Sequence, residues 1–285
     1  MTDDHLTMKE GICRICGHQA RLFGWEGVEC LTCGSISAVA IPTNAELRKY
    51  YEEFLVSYHG GGRRKNTGRR QYAYAAKYLQ SIRNIAGGKA LIDIGSANSP
   101  FPNLAAEEGY DVSAVDLNQP DGLVPTVTFY QGSLEDNLVD RVGRTFDIVT
   151  AFAVLEHCPD PQLAIKNLVR LCDRGGSIVL TTPGIGRFSD RYAVGRSPWF
   201  NPPEHLNLIS LKGLVELFGQ SQCKLVSAGA FELNAVRYIL RYGLGWCAGI
   251  AGWIVRNTAR PYWNMCREKK ISLVQDIMLY AFQKR

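Results

Sequence analysis

Leu91-Ile92-Asp93-Ile94-Gly95-Ser96-Ala97-Asn98-Ser99 is the stretch on which the fold turns. A short apolar run stops at a glycine and gives way to small polar residues, as at a strand-to-loop-to-helix junction of the dinucleotide-fold type. A glycine there lets a ligand approach backbone amides at the carboxyl edge of a sheet. One strand further on, Asp116 closes the run Asp111 to Asp116, where an acid can accept hydrogen bonds from both hydroxyls of a ribose. The two signals together indicate an adenosine ligand. A dinucleotide would want GxGxxG, but Gly95, Ala97 and Pro100 occupy those positions, so the pyrophosphate cradle is missing twice and the ligand need not carry phosphates.

Working outward, short apolar runs at Lys89 to Ile94, Asp111 to Asp116, Val127 to Gln131, Phe146 to Phe152, Ser177 to Thr181 and Lys224 to Ala230 alternate with helical patterns. Strands spaced by helices require crossovers, and hence a mostly parallel sheet. Asp160-Pro161 caps one helix, whose apolar positions are Leu163, Ile165, Leu168, Val169 and Leu171, and Arg174-Gly175-Gly176 is expected to stop it. Ser210 caps another helix, ending near Gly219. A last strand, Val274 to Phe282, can pair with the one ending near Ala230. The expectation is an α/β fold with a doubly wound, mostly parallel, seven-stranded Rossmann-like sheet and an N-terminal zinc ribbon.

The ribbon is read from Cys13-Arg14-Ile15-Cys16-Gly17 and Cys30-Leu31-Thr32-Cys33-Gly34. Two residues between cysteines let one tight turn offer both sulfurs, and two such knuckles supply the four thiolates that tetrahedral zinc prefers. The segment between them reads as a short hairpin, too small to be stable without metal. A redox CxxC would need a thioredoxin-like strand and helix, which are missing. Four thiolates leave no open position for water, so Cys13, Cys16, Cys30 and Cys33 imply structural zinc. The other five of the nine cysteines are expected as small buried hydrophobes. A polar, acidic start without a basic and apolar leader, together with paired thiols outside a disulfide framework, points to the cytoplasm. The formal charge of +5 is too mild for a dedicated nucleic-acid binder.

The sequence resembles the class I S-adenosylmethionine-dependent methyltransferases, of the small-molecule type. Asp93-Ile94-Gly95-Ser96-Ala97 looks like their first motif, Asp116 like the ribose acid, and Phe146-Asp147-Ile148-Val149 through Val154-Leu155-Glu156-His157-Cys158-Pro159-Asp160-Pro161 like their fourth-strand motif. Arg174-Gly175-Gly176-Ser177 with Thr182-Pro183 resembles their fifth motif, and Glu204-His205-Leu206 with Ser210 resembles the stretch after it. The resemblance implies that Asp93 orders the loop and meets the cofactor's ammonium, that Gly95, Ser96 and Ala97 face its methionine part, and that Asp116 with Leu117 holds the ribose. It places Ser133 and Leu134 beside adenine, where many relatives carry an acid at the Ser133 position, and Phe152 at the end of the fourth strand. Ala97 and Ala153 depart from the family's frequent glycine and polar residue.

For catalysis the candidates are His157 and His205, each a base for the acceptor's proton or a structural histidine. Glu156 is expected to orient the loop. Asn201-Pro202-Pro203 mimics an amino-methylating box but lacks its aromatic and follows the wrong strand. Tyr50, Tyr51, Tyr58, Tyr72, Tyr74 and Tyr78 form either a lid or core packing. The basic run from Gly60 to Lys65 with Arg69-Arg70 is either an anion site or a solvated loop. The uncharged residues 242–255 are too few to span a bilayer and read as a cap over the acceptor or as a peripheral contact with anionic lipid. The organisation expected is a ribbon over 1–42, a helical lid or linker over 43–86 and a catalytic domain over 87–285 with a helical insertion at about 233–272. The activity expected is methylation of a small molecule, a sugar or polyketide-like hydroxyl foremost. The alternatives are RNA or protein methylation recruited through the ribbon, and a non-catalytic scaffold whose ribbon binds a partner protein.

Overall fold

A computed structural model describes residues 6–7, 11–23, 27–43, 45–47, 49–51, 67–185, 200–232 and 277–285. Tyr58, the run from Gly60 to Lys65, the insertion at 233–272 and the uncharged 242–255 segment lie outside the described residues.

Short antiparallel strands form or border the ribbon: β2 (Ala20–Phe23), β3 (Gly27–Cys30), β4 (Ile36–Ala38) and, in a separate pair, β5 (Ala40–Ile41) with β1 (Leu6–Thr7). The helix α1 (Thr67–Ile85) buries Ala75, Leu79 and Ile82, spaced to share one helical face, and this stripe lies in one core cluster with Leu91 and Val112 of the sheet and Phe101 of the helix that follows its first strand.

The main sheet is built from β6 (Ala90–Ile94), β7 (Asp111–Asp116), β8 (Thr128–Gln131), β9 (Phe146–Phe152), β10 (Cys172–Pro183), β12 (Cys223–Glu232) and β13 (Ile277–Lys284), with α2 (Phe101–Glu107), α3 (Leu138–Val142), α4 (Pro161–Leu171) and α5 (Leu211–Gln220) among its connections. Its order is β12-β13-β10-β9-β6-β7-β8, with β13 antiparallel to both neighbours and the other pairs parallel. This is the seven-stranded, mostly parallel sheet expected. The order reverses at β6, so β6 and β9 flank the switch point where open α/β sheets bind ligands. β6 and β9 are buried almost throughout, which is why they read as mostly apolar runs without the two-residue alternation of a half-exposed strand.

Both expected helix caps are present: the Asp160 carboxylate accepts from the Leu163 amide and the Ser210 hydroxyl from the Gly213 amide. The helix stop does not fall where expected. α4 ends at Leu171 and β10 begins at Cys172, while the pairing of β10 with β9 shifts register between Cys172 and Ser177, with Gly175 at φ +79°. Arg174-Gly175-Gly176 is thus a bulge inside a strand; glycine satisfies a helix stop and a strand bulge equally. Gly176 also lies too close to the Asp147 carbonyl to carry a Cβ, which would come within 2.9 Å.

The ribbon sheet has a member from far along the chain. β11 (Asn207–Leu208) pairs with β4, completing a four-stranded sheet in the order β11-β4-β3-β2. No helix among the described residues is long and apolar enough to cross a membrane.

Candidate active site

A cleft of about 330 Å³ opens at the carboxyl ends of β6, β7, β8 and β9. Gly95, Ala97, Asp116, Leu117, Ser133 and Leu134 line one part of it, and Ala153, Val154, His157, Cys158, Leu47 and Tyr51 another. Asp93, Ser96, Phe152 and His205 do not reach its surface. Asp93, Ser96 and His205 are buried, at 3, 1 and 9% exposure. Phe152 turns its ring onto Tyr78, with centroids 3.8 Å apart, and meets Phe101 edge-on at 5.2 Å.

Gly95 is held by both backbone angle and space. Its φ is +70°, and a Cβ there would stand 2.6 Å from Val154 Cγ2. Ala97 follows in the left-handed region at φ +43°, a position that costs an ordinary residue roughly 1 kcal/mol. Its amide donates to Asp116 Oδ2 at 2.8 Å, and the Asn118 amide donates to Asp116 Oδ1 at 3.1 Å. Asp116 therefore ties the loop after β6 to the exit of β7 while remaining on the cleft wall. Burial raises its pKa, and the backbone donors oppose that rise.

Asp93 sits opposite Thr150 in the β6–β9 register and accepts its hydroxyl proton at 2.6 Å. Burial pushes Asp93 up to about 7; the Thr150 bond works against the rise and the charge of Asp116 adds to it. The Ser96 hydroxyl is buried without a hydrogen-bond partner among the described residues.

Two acids that sequence reasoning missed also line the cleft. Glu135 accepts from the Asp160 amide and is pushed up to about 7 by burial, and Asp136 accepts from the Ser133 amide at 3.2 Å. These acids stand two and three residues beyond Ser133, in the loop after β8.

His157 is carried by a single helical turn, Leu155–His157, directly after β9. Its Nδ1 lies 2.7 Å from the Glu204 carbonyl oxygen, which can only accept, so Nδ1 carries the proton and Nε2 is left with a lone pair. The Tyr51 hydroxyl is 3.1 Å from the same Nδ1. The His157 pKa is lowered to about 4, mainly by burial and then by the neighbouring His205, with the Glu204 carbonyl opposing both. The His205 ring is 4.7 Å away at 71°, and ligating atoms of Glu156, His157 and His205 lie within 4.8 Å of one another. Glu156, at 2% exposure, is raised to about 8 by burial, with Oε2 unpartnered among the described residues.

Of the tyrosines, Tyr51 lines the cleft, Tyr78 stacks between Phe152 and Phe231, and Tyr72 is exposed. In the ribbon, the sulfurs of Cys13, Cys16, Cys30 and Cys33 all lie within 4.8 Å of one another, with Cys13 and Cys33 3.8 Å apart and Cys16 and Cys30 3.4 Å apart. Tetrahedral ligation at about 2.3 Å sets sulfurs roughly 3.8 Å apart, so the cluster fits such a metal. Gly17 and Gly34 close the two knuckles at φ +73° and +74°.

The family described as "Methyltransferase domain" matches residues 67–228, more than half of the chain. The chain belongs to this methyltransferase family. Among curated methyltransferases, it is 31% identical over 117 residues to the ubiquinone biosynthesis O-methyltransferase of Methylococcus capsulatus, covering 37% of this chain and 48% of that one. It is 29% identical over 104 residues to the enzyme of the same name from Vibrio parahaemolyticus, covering 33% and 44%. The match thus spans less than half the length of these relatives. The fold is similar to a SAM-dependent methyltransferase from Archaeoglobus fulgidus, with TM-score 0.53, 16% identity and coverage of 82% of this chain and 100% of that one. It is also similar to the 1,6-didemethyltoxoflavin-N1-methyltransferase of Burkholderia thailandensis with bound S-adenosylhomocysteine, with TM-score 0.51, 15% identity and coverage of 91% and 99%.

Proposed function

We propose that this methyltransferase transfers a methyl group from S-adenosylmethionine to a hydroxyl of a small molecule, a sugar or polyketide-like compound foremost, with a structural zinc in the ribbon. The single observation that carries the hydroxyl reading is His157, which lines the cleft and whose Nδ1 is held by the Glu204 carbonyl, leaving Nε2 as the nitrogen able to accept a proton. The residues present suit the cofactor. Asp116 offers an acid at the cleft, Gly95 lets the backbone pass where a Cβ would collide with Val154, and Glu135 and Asp136 add two more carboxyl groups to the lining. The organisation that goes with this reading is the ribbon over 1–42, the helical segment over 43–86 and the catalytic domain over 87–285.

When bound, the cofactor supplies an electrophilic methyl on a sulfonium. Asp116 would hold the ribose hydroxyls, Ser133, Leu134 and Leu117 would frame the adenosine, and Asp93, one layer down, would attract the ammonium through the loop it orders. His157 Nε2 would take up the acceptor's hydroxyl proton, while the cleft walls would hold the acceptor in line with the methyl group. Titration of the wild-type chain with S-adenosylhomocysteine, together with labelled-methyl transfer to fractionated lipids, nucleotides, glycans and RNA, tests the reading. Cofactor-dependent labelling confined to the RNA fraction, or to protein, would contradict the acceptor class.

A further inference from the structure

The tetracysteine module is fastened to the sheet domain at two separate places. At its first knuckle, Gln162 Nε2 of α4 donates to the Arg14 carbonyl at 2.8 Å, and Arg14 Nη1 donates to the Pro159 carbonyl at 3.4 Å. At its second, the Ser210 hydroxyl, the cap of α5, donates to the Cys33 carbonyl at 2.6 Å. The Ser210 amide donates to Ser35 Oγ at 3.0 Å, and Lys212 Nζ donates to the Thr32 carbonyl at 2.8 Å. Ile15, fully buried, lies so close to Gly213 that a Cβ there would meet it at 2.9 Å.

The histidine wall of the cleft is joined to the same module. β4 pairs with β11, the Ala38 amide donates to the Leu206 carbonyl at 2.8 Å, and the Leu206 amide donates to the Glu156 carbonyl at 2.7 Å. A continuous hydrogen-bonded path therefore runs from the cysteine-bearing sheet to the turn that holds His157, and it passes the Glu204-His205 segment that fixes the His157 proton. The chain leaving β5 then supplies Leu47 and Tyr51 to the same wall. The residues of the other half, Gly95, Ala97, Asp116 and Ser133, take their hydrogen bonds from β7 and their own loops instead.

We propose that the metal-loaded tetracysteine module is a positioning device for the acceptor half of the cleft, holding Glu204, His205 and Tyr51 so that His157 keeps its Nδ1 proton and presents Nε2. Ser35 and Ser210 are the positioning residues that couple the thiolate cluster to that wall. The proposal rests on the methyltransferase reading of the cleft. The knuckles are engaged by this chain's own helices, a use different from recruiting a partner.

The test uses the full chain, reduced, with zinc loaded or stripped by a chelator, and a Ser210→Ala variant that keeps all four thiols. Three quantities are read: hydrogen exchange of peptides covering 153–160 and 201–210, the 15N signature of the His157 imidazole, and affinity for S-adenosylhomocysteine. Zinc removal should speed exchange in both peptides by about tenfold or more and replace the Nδ1–H form of His157 by a tautomer mixture. Affinity for S-adenosylhomocysteine should change by less than about threefold. Ser210→Ala should move the His157 signature in the same direction with zinc retained. Unchanged exchange and an unchanged His157 signature after zinc leaves would overturn the proposal, as would failure to take up one zinc per chain. An equal loss of cofactor-product affinity would show general support of the domain and overturn it too. A chain that never binds S-adenosylhomocysteine refutes the cofactor reading instead, because exchange and the 15N signature are read without that ligand.

Discussion

Asp93 and His157 illustrate how burial sets opposite charges to neutral. Asp93, raised to about 7, is partly protonated near neutrality when the cleft is empty. A cationic ligand favours its ionised form, so binding should release a proton. Affinity for S-adenosylmethionine should therefore fall as pH drops through about 7, by at most tenfold per unit, and Asp93→Asn should flatten the dependence. Calorimetry at several pH values, in buffers of different ionisation enthalpy, checks both the slope and the proton. His157 moves the other way. Its lowered pKa of about 4 keeps Nε2 unprotonated well below the usual histidine range, so turnover should show no acid limb near 6.5. His157→Ala should lower turnover by roughly 10²-fold or more and leave cofactor affinity unchanged, read from saturation kinetics and titration together. Gly95→Ala meets both a left-handed φ and the Val154 methyl, so it should lower thermal stability by more than about 1 kcal/mol and weaken cofactor binding.

At the scale of elements, the strands were legible because buried β6 and β9 are mostly apolar, broken only by Asp93, Asp147 and Thr150, and the caps because Asp160 and Ser210 are chemically suited to only a few local roles. The end of α4 escaped for a physical reason: Gly175-Gly176 relieves backbone strain without saying whether a helix is ending or a strand is bulging, and only the Cys172–Phe146 pairing decides. Glu135 and Asp136 escaped notice because loop register cannot be read from a periodic pattern. β11 was invisible for another reason: two residues, Asn207 and Leu208, have no periodicity, and their partner strand lies in a different part of the chain. Ser210 therefore carries more than a helix cap. Ser210→Ala should cost about 1 kcal/mol through the cap alone, and more through the lost bond to the Cys33 carbonyl. A thermal or denaturant melt of the zinc-loaded variant measures that excess.

Across the whole molecule, the sheet brings together residues far apart in sequence. Asp93 and Asp116 come from adjacent strands, His157 from the next strand along, and Tyr51 from the chain that leaves the ribbon. The convergence of Gly95, Asp116 and Ser133 on one cleft was legible because they stand at strand ends in chain order. The histidines' two roles stayed open, because the Glu204 carbonyl that decides the His157 tautomer is a tertiary contact. On the proposed function, this cleft holds an adenosyl cofactor by the Asp116 carboxylate. Titration calorimetry of S-adenosylhomocysteine into wild type and Asp116→Ala tests it most directly. The expected result is one site per chain in the wild type and at least about tenfold weaker binding in the variant, since contacts to an ionised group are worth roughly 1.5 to 3 kcal/mol. Equal affinity in a variant with the wild-type melting temperature, or no binding to the wild type at all, would contradict it.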